Sequence, residues 1–200
     1  MNEVFQQIST TFQNQSPLEV IAVITAILYL VLAARENIWC WFFGFVSTAI
    51  YVFLFYDVAL LSESALNIYY MAMAVYGWYQ WQNTNQHLSI KIHKWPVNLH
   101  LIVITISLLL VYPVGSLMKI LGASFPYLDA LVALLAVVAT FMTARKIFDN
   151  WYYWLFVDSV SIYLFWSKQM YLTALLFVFY IVLIFFGIVS WKKRWIKQQQ

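Results

Sequence analysis

What this sequence has least of is charge. Asp, Glu, Lys and Arg make up 10% of its 200 residues, against 64% in the apolar class and a mean hydropathy of +0.77. A soluble domain carries about 25% charged residues, so this chain cannot cover itself with polar surface, and the surplus apolar surface is expected to face lipid. Cysteine is nearly missing: a single Cys40 excludes an intramolecular disulfide and a cysteine-based metal site. No glycine-rich phosphate loop, nucleophile elbow or HExxH motif occurs, so catalysis has no constellation to stand on and no cofactor is expected. The first seventeen residues, MNEVFQQISTTFQNQSP, contain no Lys or Arg, unlike the basic start of a secretory signal. The first apolar segment is therefore expected to stay in the membrane. These absences exclude a cytosolic enzyme, a secreted disulfide scaffold and a disordered chain.

What the chain does have is apolar runs. A bilayer core takes about 20 apolar residues per span, which limits the chain to about eight. Seven segments can be read, at Leu18–Ala34, Ile38–Tyr56, Ala59–Trp81, Asn98–Met118, Tyr127–Thr143, Asn150–Trp166 and Tyr171–Trp191. Trp39, Trp41, Trp78, Trp81, Trp95, Trp151, Trp191 and Trp195 lie near segment ends, where tryptophan suits the membrane interface. Pro17, Pro96 and Pro126 fall in connectors, and Pro113 is expected to end or kink the fourth helix.

Basic residues orient the spans. With seven, the connectors after spans 2, 4 and 6 share a side with the N-terminus and carry only Lys119 and Lys168. The opposite side carries Arg35, Lys91, Lys94, Arg145, Lys146, Lys192, Lys193, Arg194 and Lys197. Basic residues are retained on the cytoplasmic face, so the N-terminus is expected outside and the C-terminus inside. The tail WKKRWIK reads as a topology anchor, able to rest on anionic lipid, rather than as a nucleic-acid patch.

The two halves repeat. Shifted by 110 residues, Leu18-Glu19 falls on Leu128-Asp129, Ala26 on Ala136, Ala34-Arg35 on Ala144-Arg145, Gly77 on Gly187 and Trp81 on Trp191. Between these, a two-residue slip pairs Trp39 with Trp151, Ser47 with Ser159 and Ile50-Tyr51 with Ile162-Tyr163. Three spans form the unit and the copies begin four spans apart, so both point the same way. The expected architecture is an all-α integral membrane protein of seven transmembrane helices, with 3+1+3 parallel repeats in a SWEET-like plan. Its parts are a periplasmic segment (1–17), a first three-helix repeat (18–81), a connector and linker helix (82–126), a second repeat (127–191) and a basic tail (192–200). Such repeats place a site between the halves near the midplane, as in transporters.

Acids inside spans are costly and face a cavity or a partner. Asp158 lies mid-span, and Trp151, Trp154, Asp158, Ser161 and Phe165 share its face by steps of three and four. Glu63 lies in the outer third of span 3, with Asn67, Tyr70 and Ala74 below it on one face; Gln80 and Asn83 close that helix. Glu19 and Asp129 open helices, where acids suit the dipole. Arg35 and Arg145 end helices as anchors. His87, His93 and His100 lie in or beside one connector with no partner at metal-ligand spacing. For Asp158 and Glu63 the plainer reading is an interhelical hydrogen bond. The functional one is a site where a carboxylate and aromatic faces hold a small, flat, cationic or hydrogen-bonding heteroaromatic.

At these residues the chain resembles the PnuC-type vitamin transporters over essentially everything after residue 17. Tyr76-Gly77-Trp78-Tyr79-Gln80-Trp81 is similar to the family's YGWYxW, and Thr143 to Asp158 resembles its T-R-K…W-x-x-W-x-x-x-[N/D]. The resemblance implies a seven-helix SWEET-like core, a homotrimer, and facilitated diffusion drawn onward by a cytoplasmic kinase that phosphorylates the vitamin. It implies that Trp154 and Asp158 line the site with Trp151 close by; Asn67, Glu63, Tyr70 and Ser161 complete the candidate set. Nicotinamide riboside carriers have Gln and Asn seven residues apart before the YGW block; here those positions are Asn67 and Ala74. The lost hydrogen-bonding group tilts the cargo slightly toward thiamine, carried by PnuT-type relatives, with nicotinamide riboside beside it and neutral riboflavin behind.

Two other classes compete. A non-transporting membrane subunit needs no midplane acid between tryptophans, and a membrane enzyme needs matched groups such as His with Asp at one depth. The orientation has a direct check. Green fluorescent protein fused after Gln200 should fluoresce and alkaline phosphatase there should be inactive; the reverse pattern would invert the topology.

Overall fold

The computed structural model describes residues 17–57, 61–82, 91–167 and 171–200. Residues 1–16, the expected span start at Ala59, and Asn83, His87 and Lys168 lie outside the described residues. The described residues form seven helices: α1 (Pro17–Ala34), α2 (Trp39–Asp57), α3 (Leu61–Gln82), α4 (Val97–Ile120), α5 (Pro126–Ala144), α6 (Asn150–Ser167) and α7 (Tyr171–Lys197). Among the described residues the only β pairing is one bridge, His93 with Ile147. Five helices (α1, α2, α4, α5 and α7) are long and apolar enough to cross a membrane. The remaining two, α3 and α6, match them in length but spend positions on Asn, Asp, Ser, Tyr and Trp. They are also the two that carry the candidate site.

Two boundaries differ from expectation. Pro113 does not end α4, which continues to Ile120. Nor does α7 stop at Trp191: it runs on to Lys197, so most of the basic tail is helical. That helix end is tied down by Gln198, whose side-chain oxygen accepts the Ile92 N–H at 3.1 Å.

Helix contacts run α1–α2–α3–α5–α6–α7 and back to α1, closing a ring of six. α4 packs on the outside of this ring against α5, burying only Ser107 and Gly115 along its length. Leu101, Ile102, Leu108 and Leu109 on α4 are more than half exposed. In water such a surface would drive aggregation; in a bilayer it is the lipid-facing side.

Three helices end in the same hydrogen-bonded cap, in which two successive N–H groups reach back six-to-one and five-to-two onto the last carbonyls. After α4 the left-handed residue is Gly122, φ +88°, with Ala123 N to Met118 O at 3.0 Å and Gly122 N to Lys119 O at 3.1 Å. After α1 it is Glu36 and after α5 it is Lys146, with φ of 54° and 53°. Their bonds correspond: Asn37 N to Leu32 O and Ile147 N to Met142 O, both 2.9 Å.

Glu36 and Lys146 are 110 residues apart, and the correspondence continues through the connectors. Cys40 N bonds Asn37 O at 3.0 Å and Asn150 N bonds Ile147 O at 3.1 Å. Trp41 and Trp151 then take the same place: a Cβ on Gly77 would lie 2.3 Å from the Trp41 ring, and one on Gly187 would lie 2.4 Å from the Trp151 ring. Trp41 meets Trp81 edge-on with centroids 5.4 Å apart, and Trp151 meets Trp191 at the same distance. The expected two-residue slip is therefore not needed here; Trp151 corresponds to Trp41 and not to Trp39.

These tryptophans also revise their expected role. Trp41, Trp81, Trp151 and Trp191 are each 3% exposed or less and belong to one core cluster with Ala33, Ala34, Cys40, Ala144 and Phe148. They are interior packing, whereas Trp39 and Trp166 are more than half exposed and suit interface anchoring. Trp81 Nε1 donates to Ala144 O at 3.1 Å and Trp191 Nε1 donates to Ala33 O at 3.0 Å. Each half thus donates an indole N–H to a last-turn carbonyl on the first helix of the other half; Ala33 O also accepts the Glu36 N–H of its own cap, at 3.0 Å.

The rigid indoles leave no room at the two glycines. Gly77→Ala and Gly187→Ala should each destabilise the protein by about 1–3 kcal/mol through overpacking, read as a lowered midpoint in a thermal melt of the detergent-solubilised protein. Wild-type melting for both would refute the close approach.

Candidate functional site

The site is built from α3 and α6, held together by α5. On α6, Asp158 and Ser161 are both 4% exposed, one turn apart on the face that the spacing predicts. On α3, Asn67 is buried and Tyr70 is half-buried. Tyr70 and Trp154 pack into the same cluster, around Leu135 and Ala136 of α5 and Val157 of α6. Tyr69 fixes α3 against α5 by donating its hydroxyl to Val137 O at 3.0 Å. The structure thereby brings Tyr70, Trp154 and the Asp158 face together across the junction of the two halves.

Asp158 lies close enough to Tyr70 on α3 and Tyr180 on α7 to act on both electrostatically. Tyr70 is likewise coupled to Tyr29 of α1, and Tyr180 to Tyr51 of α2. The carboxyl group thus has phenols of two other helices, α3 and α7, in its neighbourhood, and each of these phenols has a second one, from α1 or α2, beside it. Sequence reasoning missed Tyr29, Tyr51 and Tyr180. For Tyr180 a signal existed: it is Tyr70 shifted by 110, the same offset that relates the glycines and tryptophans.

Trp154 is oriented from below. Its Nε1 donates to Thr143 Oγ1 at 3.2 Å. The Thr143 hydroxyl lies 2.9 Å from Ala139 O and 3.2 Å from Asn150 Oδ1, with one proton to give. Asn150, fully buried, donates its amide to Ile147 O at 2.6 Å. Buried polar groups hold a unique geometry when all are satisfied, so Thr143 and Asn150 act as positioning residues for the indole.

The other expected residues are placed differently. Trp151 is 1% exposed and sits in the tryptophan cluster, where its N–H has no acceptor among the described residues. Glu63 is half-buried in the first turn of α3, where the helix dipole favours a carboxylate. Asn67 turns its amide back to Glu63 O at 2.9 Å. Ala74 is 3% exposed in the main core cluster. A matching exchange of bulk separates the halves: Tyr29 and Gly44 in the first correspond to Ala139 and Trp154 in the second. A Cβ on Gly44 would lie 2.9 Å from the Tyr29 ring.

Outside the ring, His93 and His100 hold connectors. Phe148 N donates to His93 O at 2.8 Å. The His100 ring lies 3.0 Å from the Tyr153 hydroxyl and 3.5 Å from Asp149 Oδ2. No group of three metal-ligating side chains occurs among the described residues. Chemically, the arrangement offers one buried acid, several phenol donors and an oriented indole face. That set can stack a flat ring and accept hydrogen bonds or positive charge from it.

Four of the six ring helices are long and apolar enough to cross a membrane, and a polar, aromatic cluster lies between the ring's halves, an arrangement that fits a multi-pass membrane protein. The family described as nicotinamide mononucleotide transporter matches residues 16–193. This chain belongs to that family, the PnuC family. It is 26% identical to the nicotinamide riboside transporter PnuC of Escherichia coli (strain K12), over 90% of this chain and 84% of that protein. It is also 26% identical to the riboflavin/roseoflavin transporter RibM of Streptomyces davaonensis, over 86% and 82%. A crystal structure of the vitamin B3 transporter PnuC superposes with a TM-score of 0.77, covering 97% of this chain and 88% of that one at 22% identity. These relatives are transporters, not enzymes.

The positioning chain has a specific check. Thr143→Val removes the acceptor of the Trp154 N–H and leaves it and Asn150 short of a partner, a loss of about 1–3 kcal/mol. The expected result is a lower thermal midpoint with altered tryptophan fluorescence, and Thr143→Ser should restore both; an unchanged melt for Thr143→Val would remove Thr143 from this role.

Proposed function

We propose that this protein is a PnuC-type carrier that moves a flat, nitrogen-heterocyclic vitamin across the inner membrane. The observation that carries the reading is Asp158, buried on α6 one turn after Trp154 and close enough to Tyr70 and Tyr180 to act on both. A sugar could hydrogen-bond that carboxyl group but brings neither a positive charge nor a flat ring, and a lipid tail brings no donor, whereas a pyridinium or thiazolium ring matches both the acid and the aromatic faces. The two halves act as parallel three-helix repeats in a SWEET-like plan, supported by the caps, glycines and tryptophans that correspond at 110 residues.

Nicotinamide riboside is the cargo favoured by the names of the relatives. Thiamine is the second reading, favoured by one observation: the position where nicotinamide riboside carriers hold a second polar residue is Ala74, packed in the core. Riboflavin, uncharged, gains least from Asp158. Transport proceeds by facilitated diffusion, since Asp158 is the one acid deep in a span and offers no relay for proton coupling. A cytoplasmic kinase traps the vitamin by phosphorylation. The N-terminus lies outside, the basic C-terminus in the cytoplasm, and the carrier works as a homotrimer; the last two points rest respectively on the basic-residue count and the family resemblance.

Calorimetric titration of purified protein with nicotinamide riboside, thiamine and riboflavin decides the cargo. Asp158→Ala and Trp154→Ala should each weaken binding of the preferred ligand about tenfold or more, a loss of about 1.4 kcal/mol; unchanged affinity in both rejects the site. Proteoliposomes should equilibrate the labelled vitamin without an ion gradient, and accumulation above equilibrium would overturn facilitated diffusion.

A further inference from the structure

We propose that Glu36, Lys146 and Arg194 form a latch that holds one end of the helix ring closed, and that its release opens the transport pathway there. This rests on the carrier reading above. Lys146 Nζ lies 3.3 Å from Glu36 Oε2, with both side chains under one-tenth exposed. Arg194, near the end of α7 and half exposed, places Nη1 3.4 Å from Glu36 Oε1. The Lys146 ammonium also sits 4.9 Å over the Trp81 ring, directly above the tryptophans that join the halves.

Three features make this a device rather than a surface ion pair. Glu36 and Lys146 are the left-handed cap residues of α1 and α5, a position that the equivalent cap after α4 gives to glycine. A bulky charged residue there is locally unfavourable, and such conformations persist only where the surroundings over-determine them. Second, the two positions correspond between the halves, yet one is an acid and the other a base; identical residues would repel across the junction. Third, a buried charge cannot stay buried without its partner. Separating the halves must rehydrate Glu36 and Lys146 together, which makes closing all-or-none. Short connectors, 35–38 and 145–149, lie at this point and can absorb the backbone change.

The chain carries its own reporter. Cys40, the sole cysteine, is fully buried four residues after Glu36, in the cluster of Ala33, Ala34, Trp81 and Trp191. In detergent solution, a water-soluble maleimide should label Cys40 of the wild-type protein slowly. Glu36→Gln and Lys146→Met should each accelerate labelling about tenfold or more by raising the open population. The double variant should be no faster than the faster single one, since both remove the same interaction. Arg194→Gln, on a half-exposed residue that does not disturb the interior, should accelerate it less. Gly115→Ala crowds Tyr127 at the α4–α5 contact, away from the latch, and should leave the rate unchanged.

Wild-type rates for Glu36→Gln and Arg194→Gln would overturn the latch. So would effects that multiply in the double variant, or equal acceleration by Gly115→Ala. Should the buried variants fail to elute as monodisperse protein, the Arg194→Gln rate decides alone. The readout uses neither cargo nor membrane orientation, so its failure leaves the carrier reading standing, and a failure to bind any vitamin leaves the latch measurable.

Discussion

The ring depends on an exchange of hydrogen bonds between its halves. Trp81 of α3 caps the end of α5, and Trp191 of α7 caps the end of α1. Each indole N–H meets a carbonyl in the last turn of a helix of the other half, and each net bond contributes about 0.5–1.5 kcal/mol. The glycines at 77 and 187 follow from this arrangement, since only a missing side chain lets the second tryptophan of each half lie against the helix. So do the cap residues Glu36 and Lys146, which leave the same helix ends and meet across the same junction. Breaking a buried pair of this kind by removing one partner costs about 3–5 kcal/mol.

Lipid sets the second constraint. Five helices meet it with nearly unbroken apolar sequence, and α4 is the extreme case, giving almost its whole surface outward. α3 and α6 carry more polar groups, and Ser64 and Asn67 of α3 and Asp158 and Ser161 of α6 are buried within the ring. The two demands, apolar outside and polar at the junction, are thus separated by helix and not only by helix face.

Much of this was legible in the chain. Seven apolar segments became seven helices among the described residues, most with ends within two residues of those expected, because prolines and charges punctuate them strongly; the exception is α7, which runs six residues past Trp191. The face shared by Trp154, Asp158 and Ser161 follows from helical spacing alone. The role of the tryptophans was harder to read. At the end of an apolar run, Trp41 and Trp39 look alike, but one is buried against Gly77 and the other faces outward, and only the neighbouring helix decides which. The same limit hid Tyr29 and Tyr51, whose partners lie on helices distant in sequence. Glu36 drew no notice for a related reason: an acid among basic residues at a helix end reads as surface until the other half buries it.

The exchange of bulk between Tyr29 with Gly44 and Ala139 with Trp154 has a consequence for what the site can hold. Two half-sites of matching shape would let an elongated molecule dock in either of two opposite poses, with the affinity divided between them. Here the large ring stands on α1 in one half and on α6 in the other, and Asp158 is matched by Thr48. A near-symmetric scaffold therefore presents a handed interior. A molecule with a flat charged head and a polar tail would have a single way to lie in it.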